Sequence, residues 1–163
     1  MVCLGNICRS PIAEAVLRDR IQRAGLHEAV VVDSAGTGDW HLGGLADPRA
    51  RATLTAHGYA LDHRARQIDG SWFAGIDLLL AMDMANYADL MAMRAADDAT
   101  EIRMLRAFDP ELAGQPEPSP GLEVPDPYEG GDDEFIRVLH MVQSAAEGLV
   151  AQLDARLQSA RRA

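Results

Sequence analysis

The sequence predicts an α/β domain built on a parallel sheet of about four strands. Segments with the pattern of strands alternate with segments with the pattern of helices, which is typical of parallel strands joined by helical crossovers. The 163 residues are enough for one domain with a hydrophobic core and too few for two. Apolar residues make up 48% and charged residues 25% of the chain, a balance that excludes a wholly disordered protein.

The first predicted strand and the first predicted helix flank a short loop. An extended segment ends at Cys3, and Gly5-Asn6 is a turn signal. Ser10 and Pro11 predict the start of a helix, with Ser10 as the N-cap and Pro11 at the first helical position. Gly25 predicts the end of this helix. Between these signals the apolar residues recur at helical spacing: Ile12, Ala15, Val16, Leu17 and Ile21.

The remaining elements continue the alternation of strands and helices. Apolar and β-branched runs predict strands at residues 29–32, 76–82 and 101–105. Helical spacing and start signals predict helices at residues 47–57, 85–95 and 132–156. Because active sites of parallel sheets lie at the carboxyl ends of the strands, chemistry is expected there. The polar or reactive residues expected at such ends are Cys3, Ser34 and Met82-Asp83.

Charge and cysteine content exclude several classes of function. All 15 basic residues are arginine, which excludes lysine Schiff-base chemistry, a Walker-type phosphate lysine and a kinase-type lysine. The net charge of −10 argues against a nucleic-acid surface, so an anionic substrate must be captured by local donors. Two cysteines argue against a disulfide-rich scaffold and against a four-ligand zinc site.

The sequence also predicts where the protein acts. No stretch approaches the roughly 18 uninterrupted apolar residues of a membrane span. The N-terminus lacks the basic and apolar regions of a signal peptide. We therefore expect a cytoplasmic monomer with neither a nucleic acid nor a membrane as partner, while export without a signal peptide stays open.

Residues 3–10, with the sequence Cys-Leu-Gly-Asn-Ile-Cys-Arg-Ser, predict an anion-binding loop. Five residues separate Cys3 from Arg9, which is enough for the backbone to curl and point its N–H groups inward as an anion nest. The following helix directs its positive end at the same point, and Arg9 can grip two phosphate oxygens with its planar fork. These donors favour the thiolate form of Cys3 near neutral pH. The residues expected around a bound phosphate are Leu4, Gly5, Asn6, Ile7, Cys8, Arg9 and Ser10.

Residues 3–14, Cys-Leu-Gly-Asn-Ile-Cys-Arg-Ser-Pro-Ile-Ala-Glu, closely resemble the phosphate loop and first helix of the low-molecular-weight protein tyrosine phosphatases, as found in bacteria. Further similar segments lie at residues 34–41, 47–49, 62–67, 81–83, 108–110 and 124–128. The resemblance covers nearly the whole chain. It implies a single three-layer domain over residues 1–163, with a central four-stranded parallel sheet flanked by helices, and an enzyme that needs no cofactor or metal.

The resemblance also implies roles for individual residues. Cys3 would be the nucleophile that forms a phosphocysteine, Arg9 the phosphate clamp and Asp126 the general acid and base. The substrates would be phosphotyrosine proteins, with inorganic phosphate as product and inhibitor. The hydrogen bonds that hold the loop in shape would come from Asn6, Ser10, Ser34 and His63.

The substrate slot shows one departure from the family pattern, and the N-terminus shows another. Trp40 and Tyr128 would wall the slot, whereas His41 could contact the substrate or be a solvated loop residue. Glu129 stands where many relatives have another aromatic residue, which should weaken stacking on the phenyl ring and disfavour very acidic peptides. Only two residues precede Cys3, so either the first strand is clipped or the start of the chain is misassigned.

Several alternative functions compete with the hypothesis of a phosphotyrosine phosphatase. Arsenate reductases use a similar cradle but need further cysteines to relay a disulfide, and none exists beyond Cys8. Phosphoarginine phosphatases of the family tend to carry Thr at the position of Ile7. A silent phosphopeptide-binding module would not need both Cys3 and Asp126. Cys8 could trap an oxidised Cys3 as a reversible disulfide, or it could be a packing residue under the loop.

Overall fold

The computed structural model describes residues 1–162, in which one parallel sheet contains the strands β1 (Val2–Cys3), β2 (Ala35–Gly36), β3 (Leu78–Ala81) and β4 (Glu101–Met104). The strands lie in the order β2-β1-β3-β4, so the two-residue β1 is central. Val2 pairs with Ala35 on one side and with Ala81 on the other. Cys3 therefore lies at the carboxyl end of a central strand, where the chain leaves the sheet.

The α-helices of residues 1–162 cover both faces of the sheet: α1 (Arg9–Arg23), α2 (Pro48–Ala56), α3 (Met84–Met93) and α4 (Asp132–Arg162). Helices α1, α2 and α4 pack in one core, and α3 packs in a second core together with a short 3₁₀ helix at Gly70–Gly75. Successive side chains of β3 point to opposite faces of the sheet and so enter the two cores in turn. Leu80 belongs to the first core, whereas Leu79 and Ala81 belong to the second. The predicted α/β fold with four parallel strands between helical layers is confirmed.

Most elements agree with the sequence predictions, with ends shifted by a few residues. The prediction of strands at 76–82 and 101–105 corresponds to β3 and β4, and the three later helices correspond to α2, α3 and α4. Asp47 caps α2 by accepting a hydrogen bond from the N–H of Arg49 at 2.8 Å. The final helix continues to Arg162. None of the helices in residues 1–162 is both long and apolar enough to span a membrane.

The predicted strand at residues 29–32 is wrong. This segment is a turn after α1, in which the N–H groups of Ala29 and Val30 donate to the Leu26 carbonyl at 3.0 and 2.9 Å. These local bonds replace strand pairing, and the side chain of Val31 is 94% exposed although its type favours strands. Strand β2 forms only at Ala35–Gly36. Ser34 therefore precedes a strand and does not follow one, contrary to its expected position.

The start of the first helix also differs from the prediction. Helix α1 begins at Arg9, and Cys8 is its N-cap residue without a side-chain hydrogen bond. The prediction of Ser10 as N-cap is wrong because the loop curls directly into the helix. The Ser10 hydroxyl instead lies 3.0 Å from the sulfur of Cys3. The helix terminates near Gly25, as predicted, and this glycine has a positive φ of 70°.

Candidate active site

The segment between β1 and α1, called here the phosphate loop (residues 3–10), forms the floor of a pocket of about 240 Å³. The pocket brings together all three predicted catalytic residues and all three predicted substrate-binding residues. Its lining consists of Cys3, Leu4, Gly5, Ile7, Cys8, Arg9, Trp40, His41, Asp126 and Tyr128. The remaining loop residues, Asn6 and Ser10, are buried behind the pocket wall.

Asn6 gives the phosphate loop its curvature. Its φ of 53° lies in the left-handed region, which asparagine tolerates better than most residues. The side-chain amide donates to the hydroxyls of Ser10 and Ser34, both at 2.9 Å, and its oxygen accepts from the Arg66 backbone N–H at 2.8 Å. Because every polar atom of this buried side chain is bonded, the amide locks the loop against β2 and the segment that follows.

A buried charged group supports the loop from behind. His63 Nε2 lies 2.8 Å from the Asn6 carbonyl, and His63 Nδ1 lies 3.6 Å from a carboxylate oxygen of Glu14. The Ser34 hydroxyl donates to the same oxygen of Glu14. Burial opposes ionisation of Glu14, but the contact with His63, the hydrogen bond from Ser34 and the charge of Arg18 outweigh it and lower the pKa of Glu14. Two of the predicted loop-shaping residues, Ser34 and His63, therefore contact one ionised carboxylate, and Asn6 is linked to it through Ser34.

Glu14 was missed by the sequence analysis, although it carried a signal. A glutamate between two alanines on the buried side of an amphipathic helix needs a partner, because an unpaired buried carboxylate is costly. Gly36 was missed for a different reason. A Cβ at Gly36 would lie 2.6 Å from the Leu4 carbonyl oxygen. Only glycine at this position therefore allows β2 to lie so close to the phosphate loop.

The sulfur of Cys3 is buried at the bottom of the pocket and surrounded by donors. The Asn6 backbone N–H points at the sulfur from 3.3 Å, and the Ser10 hydroxyl lies 3.0 Å away. The N-terminus of α1 follows in the chain and adds its positive end. The sulfur therefore faces one backbone donor, one hydroxyl and the positive end of a helix.

Arg9 spans the pocket between two carboxylates. Its side chain is only 3% exposed, with Nη1 at 2.5 Å from Asp83 and Nη2 at 2.6 Å from Asp126. Nη1 also donates to the Val124 carbonyl at 3.3 Å. The buried Nε finds no hydrogen-bond partner within residues 1–162, which leaves this donor of Arg9 unused. Sequence analysis placed Asp83 at a strand end but did not pair it with Arg9.

Asp126 lies on the rim of the pocket, in a segment called here the acid loop (residues 124–130). The loop is tied to the sheet by the Val124 N–H, which donates to the Met82 carbonyl at 2.7 Å. One oxygen of Asp126 pairs with Arg9, and the other accepts from the Tyr128 N–H at 3.2 Å. The carboxyl group thus faces both the guanidinium and the open mouth.

The mouth of the pocket is aromatic. Trp40 is 70% exposed and Tyr128 is about half exposed, so both rings are open to solvent at the entrance, where the Trp40 ring packs against Gly38. The His41 ring packs on the phosphate loop, since a Cβ at Gly5 would lie 3.0 Å from its Cδ2 atom. His41 is therefore part of the pocket wall, whereas its contact with a substrate stays a prediction.

Comparison with known proteins decides the family. The family model for the low molecular weight phosphotyrosine protein phosphatases matches residues 1–159. The chain belongs to this family. The resemblance stated from residues 3–14 is thereby confirmed.

This phosphatase has relatives both among known sequences and among solved structures. It is 51% identical to a low molecular weight protein-tyrosine-phosphatase of Streptomyces coelicolor over 92% of this chain and 89% of the relative. It is 45% identical to the low molecular weight protein-tyrosine phosphatase A of Mycobacterium tuberculosis, over 96% and 91%. A crystal structure of an Entamoeba histolytica protein tyrosine phosphatase superposes with a TM-score of 0.85 at 38% identity, covering 94% of each chain.

The same fold also occurs with another named activity. A Drosophila arginine phosphatase superposes with a TM-score of 0.83 at 28% identity, covering 93% of this chain and 94% of that one. The fold of the phosphatase therefore does not decide between phosphate esters and phosphoarginine, and the residues of the pocket must do so. No group of three or more His, Cys, Asp or Glu side chains in residues 1–162 is arranged to hold a metal ion.

Proposed function

We propose that this phosphatase hydrolyses phosphotyrosine in proteins, with Cys3 as nucleophile, Arg9 as phosphate clamp and Asp126 as general acid and base. One observation carries the proposal: a buried sulfur with two donors lies at the bottom of a pocket whose rim joins a guanidinium to a carboxylate. A nucleophile, an electrostatic clamp and a proton donor are the groups that metal-free phosphoryl transfer requires.

Substrate binding requires an exchange of partners at Arg9. The phosphate oxygens would bind the N–H groups of the phosphate loop, the Nε of Arg9 and its Nη2 atom. Nη2 is paired with Asp126 at 2.6 Å, so the incoming phosphate would displace that carboxylate. Asp83 keeps its own pair with Arg9 and holds the guanidinium in place. The released Asp126 can then face the oxygen of the leaving group.

The chemistry would proceed in two displacements. In the first, the Cys3 thiolate attacks phosphorus, the bond between sulfur and phosphorus forms, the bond to the phenolic oxygen breaks, and Asp126 gives that oxygen its proton. In the second, Asp126 takes a proton from water as the water oxygen attacks phosphorus and the bond to sulfur breaks. Inorganic phosphate leaves, and at high concentration it occupies the loop as an inhibitor.

The lining of the pocket favours a phenyl ring as the group that carries the phosphate. Trp40 and Tyr128 offer aromatic faces at the mouth, and Ile7 adds an apolar side chain to the wall. A phosphoarginine guanidinium would bring N–H donors to this apolar wall, where they would lose hydrogen bonds to water. Phosphoserine and phosphothreonine are shorter and would leave the aromatic walls unused. We therefore expect phosphotyrosine peptides to be hydrolysed faster than peptides with these three other groups.

The proposal predicts a covalent phosphoenzyme. When the enzyme is mixed rapidly with p-nitrophenyl phosphate, we expect a burst of p-nitrophenol that matches the amount of enzyme, because phosphorylation precedes the slower hydrolysis. Acid quenching followed by mass spectrometry of peptides should place one phosphoryl group on Cys3. Binding of a phosphotyrosine peptide without turnover would instead support a silent binding module, and phosphate on another residue would contradict the proposal.

Cys8 is the second thiol of the pocket, and its chemistry gives a separate prediction. Burial, together with the charges of Asp47 and Asp126, raises the pKa of Cys8 to about 12, so this residue is a neutral thiol at physiological pH. Peroxide would oxidise Cys3 to a sulfenic acid. The Cys8 sulfur could then attack that sulfur while its proton passes to the leaving hydroxide, so that a disulfide forms and water is released.

We expect enzyme inactivated by peroxide to recover with dithiothreitol, whereas Cys8→Ser should stay inactive because its Cys3 is oxidised further. Activity toward p-nitrophenyl phosphate before and after reduction measures this recovery. Each protein's own untreated activity is the reference, since Cys8 is part of the phosphate loop. Equal recovery in both proteins would assign Cys8 a packing role only.

A further inference from the structure

Arg49 has no part in the mechanism above, yet its side chain joins the two halves of the site. It lies in the first turn of α2 and contacts Tyr128, a residue of the pocket lining. Its guanidinium donates four hydrogen bonds, two toward the phosphate-loop side and two toward the acid loop. An arginine that uses its planar fork in this way holds its partners at fixed distances.

The first pair of bonds connects Arg49 to the phosphate loop through Asp47. The Asp47 backbone N–H donates to the Ile7 carbonyl at 2.8 Å, which ties Asp47 to the loop. Both carboxylate oxygens of Asp47 accept from Arg49, from Nε and from Nη2, each at 3.0 Å. The hydrogen bonds from Arg49 outweigh burial and lower the pKa of Asp47, so this bidentate pair stays ionised.

The second pair of bonds connects Arg49 to the acid loop. Nη1 donates to the Gly130 carbonyl at 2.8 Å, and Nη2 donates to the Tyr128 carbonyl at 3.0 Å. The N–H of the same Tyr128 donates to Asp126 at 3.2 Å, so the backbone that Arg49 holds is the backbone that orients the acid.

Aromatic packing adds a further constraint on Arg49. Its guanidinium carbon lies 4.6 Å from the ring centroid of Phe135, which is fully buried in the first turn of α4. The same atom lies 5.9 Å from the ring centroid of Tyr128. Both distances are within the range of cation–π contacts. The side chain is thus fixed in position by α2, by α4 and by the acid loop together.

We propose that Arg49 is a positioning residue that sets the distance between the phosphate loop and Asp126. The inference rests on the proposed function, since it assumes that Asp126 protonates the leaving group. Without Arg49 the acid loop would keep its tie at Val124 but lose its ties at Tyr128 and Gly130. Asp126 would then spend less time in hydrogen-bond reach of the phenolic oxygen, and proton transfer would be less efficient.

The test compares two leaving groups. Phenyl phosphate needs protonation of its phenol, whereas p-nitrophenol leaves readily without it. We expect Arg49→Met to lower kcat/KM for phenyl phosphate by about 10-fold to 100-fold and for p-nitrophenyl phosphate by no more than about 3-fold. Arg49→Lys should show the same discrimination, because a single ammonium cannot make four directed bonds in one plane. In an Asp126→Ala background, Arg49→Met should cause no further loss for phenyl phosphate.

Arg103→Met is the matched control. The Arg103 side chain is 31% exposed against 32% for Arg49, and its guanidinium carbon lies 5.0 Å from the ring centroid of Phe108. It also pairs with carboxylates, those of Glu101 and Glu117. Since Arg103 lies on β4 and binds no part of the acid loop, its loss should leave the ratio of the two kcat/KM values unchanged.

Each other outcome has a definite meaning. Equal losses for both substrates in Arg49→Met, or independent losses in the double variant, would show a purely structural role and overturn the inference. If Asp126→Ala itself treats the two substrates alike, the proposed acid fails and the inference fails with it. If Arg49→Met does not fold, Asp47→Asn replaces it. Asparagine keeps the helix cap but weakens the bidentate pair, so the same discrimination between substrates must appear.

Discussion

Replacing Cys3 with serine should abolish turnover of p-nitrophenyl phosphate, lowering kcat by about 10⁴-fold or more. The loss is expected because the proposed nucleophile is the sulfur that lies at the bottom of the pocket. A serine hydroxyl in its place would be surrounded by the same donors, which stabilise an anion but cannot remove the hydroxyl proton. Steady-state release of p-nitrophenol measures the effect.

The control for Cys3→Ser is the binding of inorganic phosphate. The loop N–H groups and Arg9 remain in the variant, so calorimetric titration should still show phosphate binding, and the thermal unfolding midpoint should stay close to that of the parent. A variant that binds phosphate and keeps a turnover similar to the parent's would move the nucleophile elsewhere. In the parent enzyme, iodoacetate should modify Cys3, and phosphate should protect it by occupying the same loop.

The second large effect is expected for Asp126→Ala, which should lower kcat/KM for phenyl phosphate by about 10²-fold to 10⁴-fold. The loss should shrink for p-nitrophenyl phosphate, because p-nitrophenolate leaves without a proton. Comparison of the two substrates therefore separates loss of an acid from general damage to the site. Comparable losses for both would place the acid on another residue.

The same variant carries a prediction about binding. Asp126 occupies Nη2 of Arg9 at 2.6 Å, whereas Asp83 holds the guanidinium from the other side. Removing Asp126 takes away a competitor for the phosphate oxygens without releasing Arg9, so inorganic phosphate should inhibit Asp126→Ala at lower concentration than the parent. Asp133→Ala makes the same change of charge in the first turn of α4 and should change neither leaving-group dependence nor phosphate inhibition.

The parts of the site that could be predicted are those whose interacting groups lie close together in the sequence. The phosphate loop is one continuous segment, so turn signals, a following helix and the spacing of Cys3 and Arg9 were enough to predict it. Asp126 lies 117 residues from Arg9, and only a similar segment in a known family pointed to it. The predicted strand at residues 29–32 failed because β-branched residues favour strands only where a partner strand is available.

The residues that the sequence analysis missed share one property: their partners lie far away in the chain. Arg49 bonds to carbonyls 79 and 81 residues later, Glu14 accepts from a hydroxyl 20 residues later, and Asp83 pairs with an arginine 74 residues earlier. The sequence does not show which residue a charged side chain will contact in the folded protein. The ordinary interpretation of such a residue is therefore a surface ion pair. Only burial and proximity distinguish these residues from such surface charges.

The sequence by itself determined the alternation of helices and strands, the anion-binding loop and the kind of chemistry that a cysteine followed by an arginine can perform there. These features depend on neighbours within a few residues, through backbone conformation and helix polarity. The tertiary structure alone decided that Arg9 stands between two carboxylates, that Glu14 supports the loop and that Arg49 connects it to the acid loop. These contacts exist only after the chain has brought distant segments together, because each charge is then stabilised by the particular partners that folding places beside it.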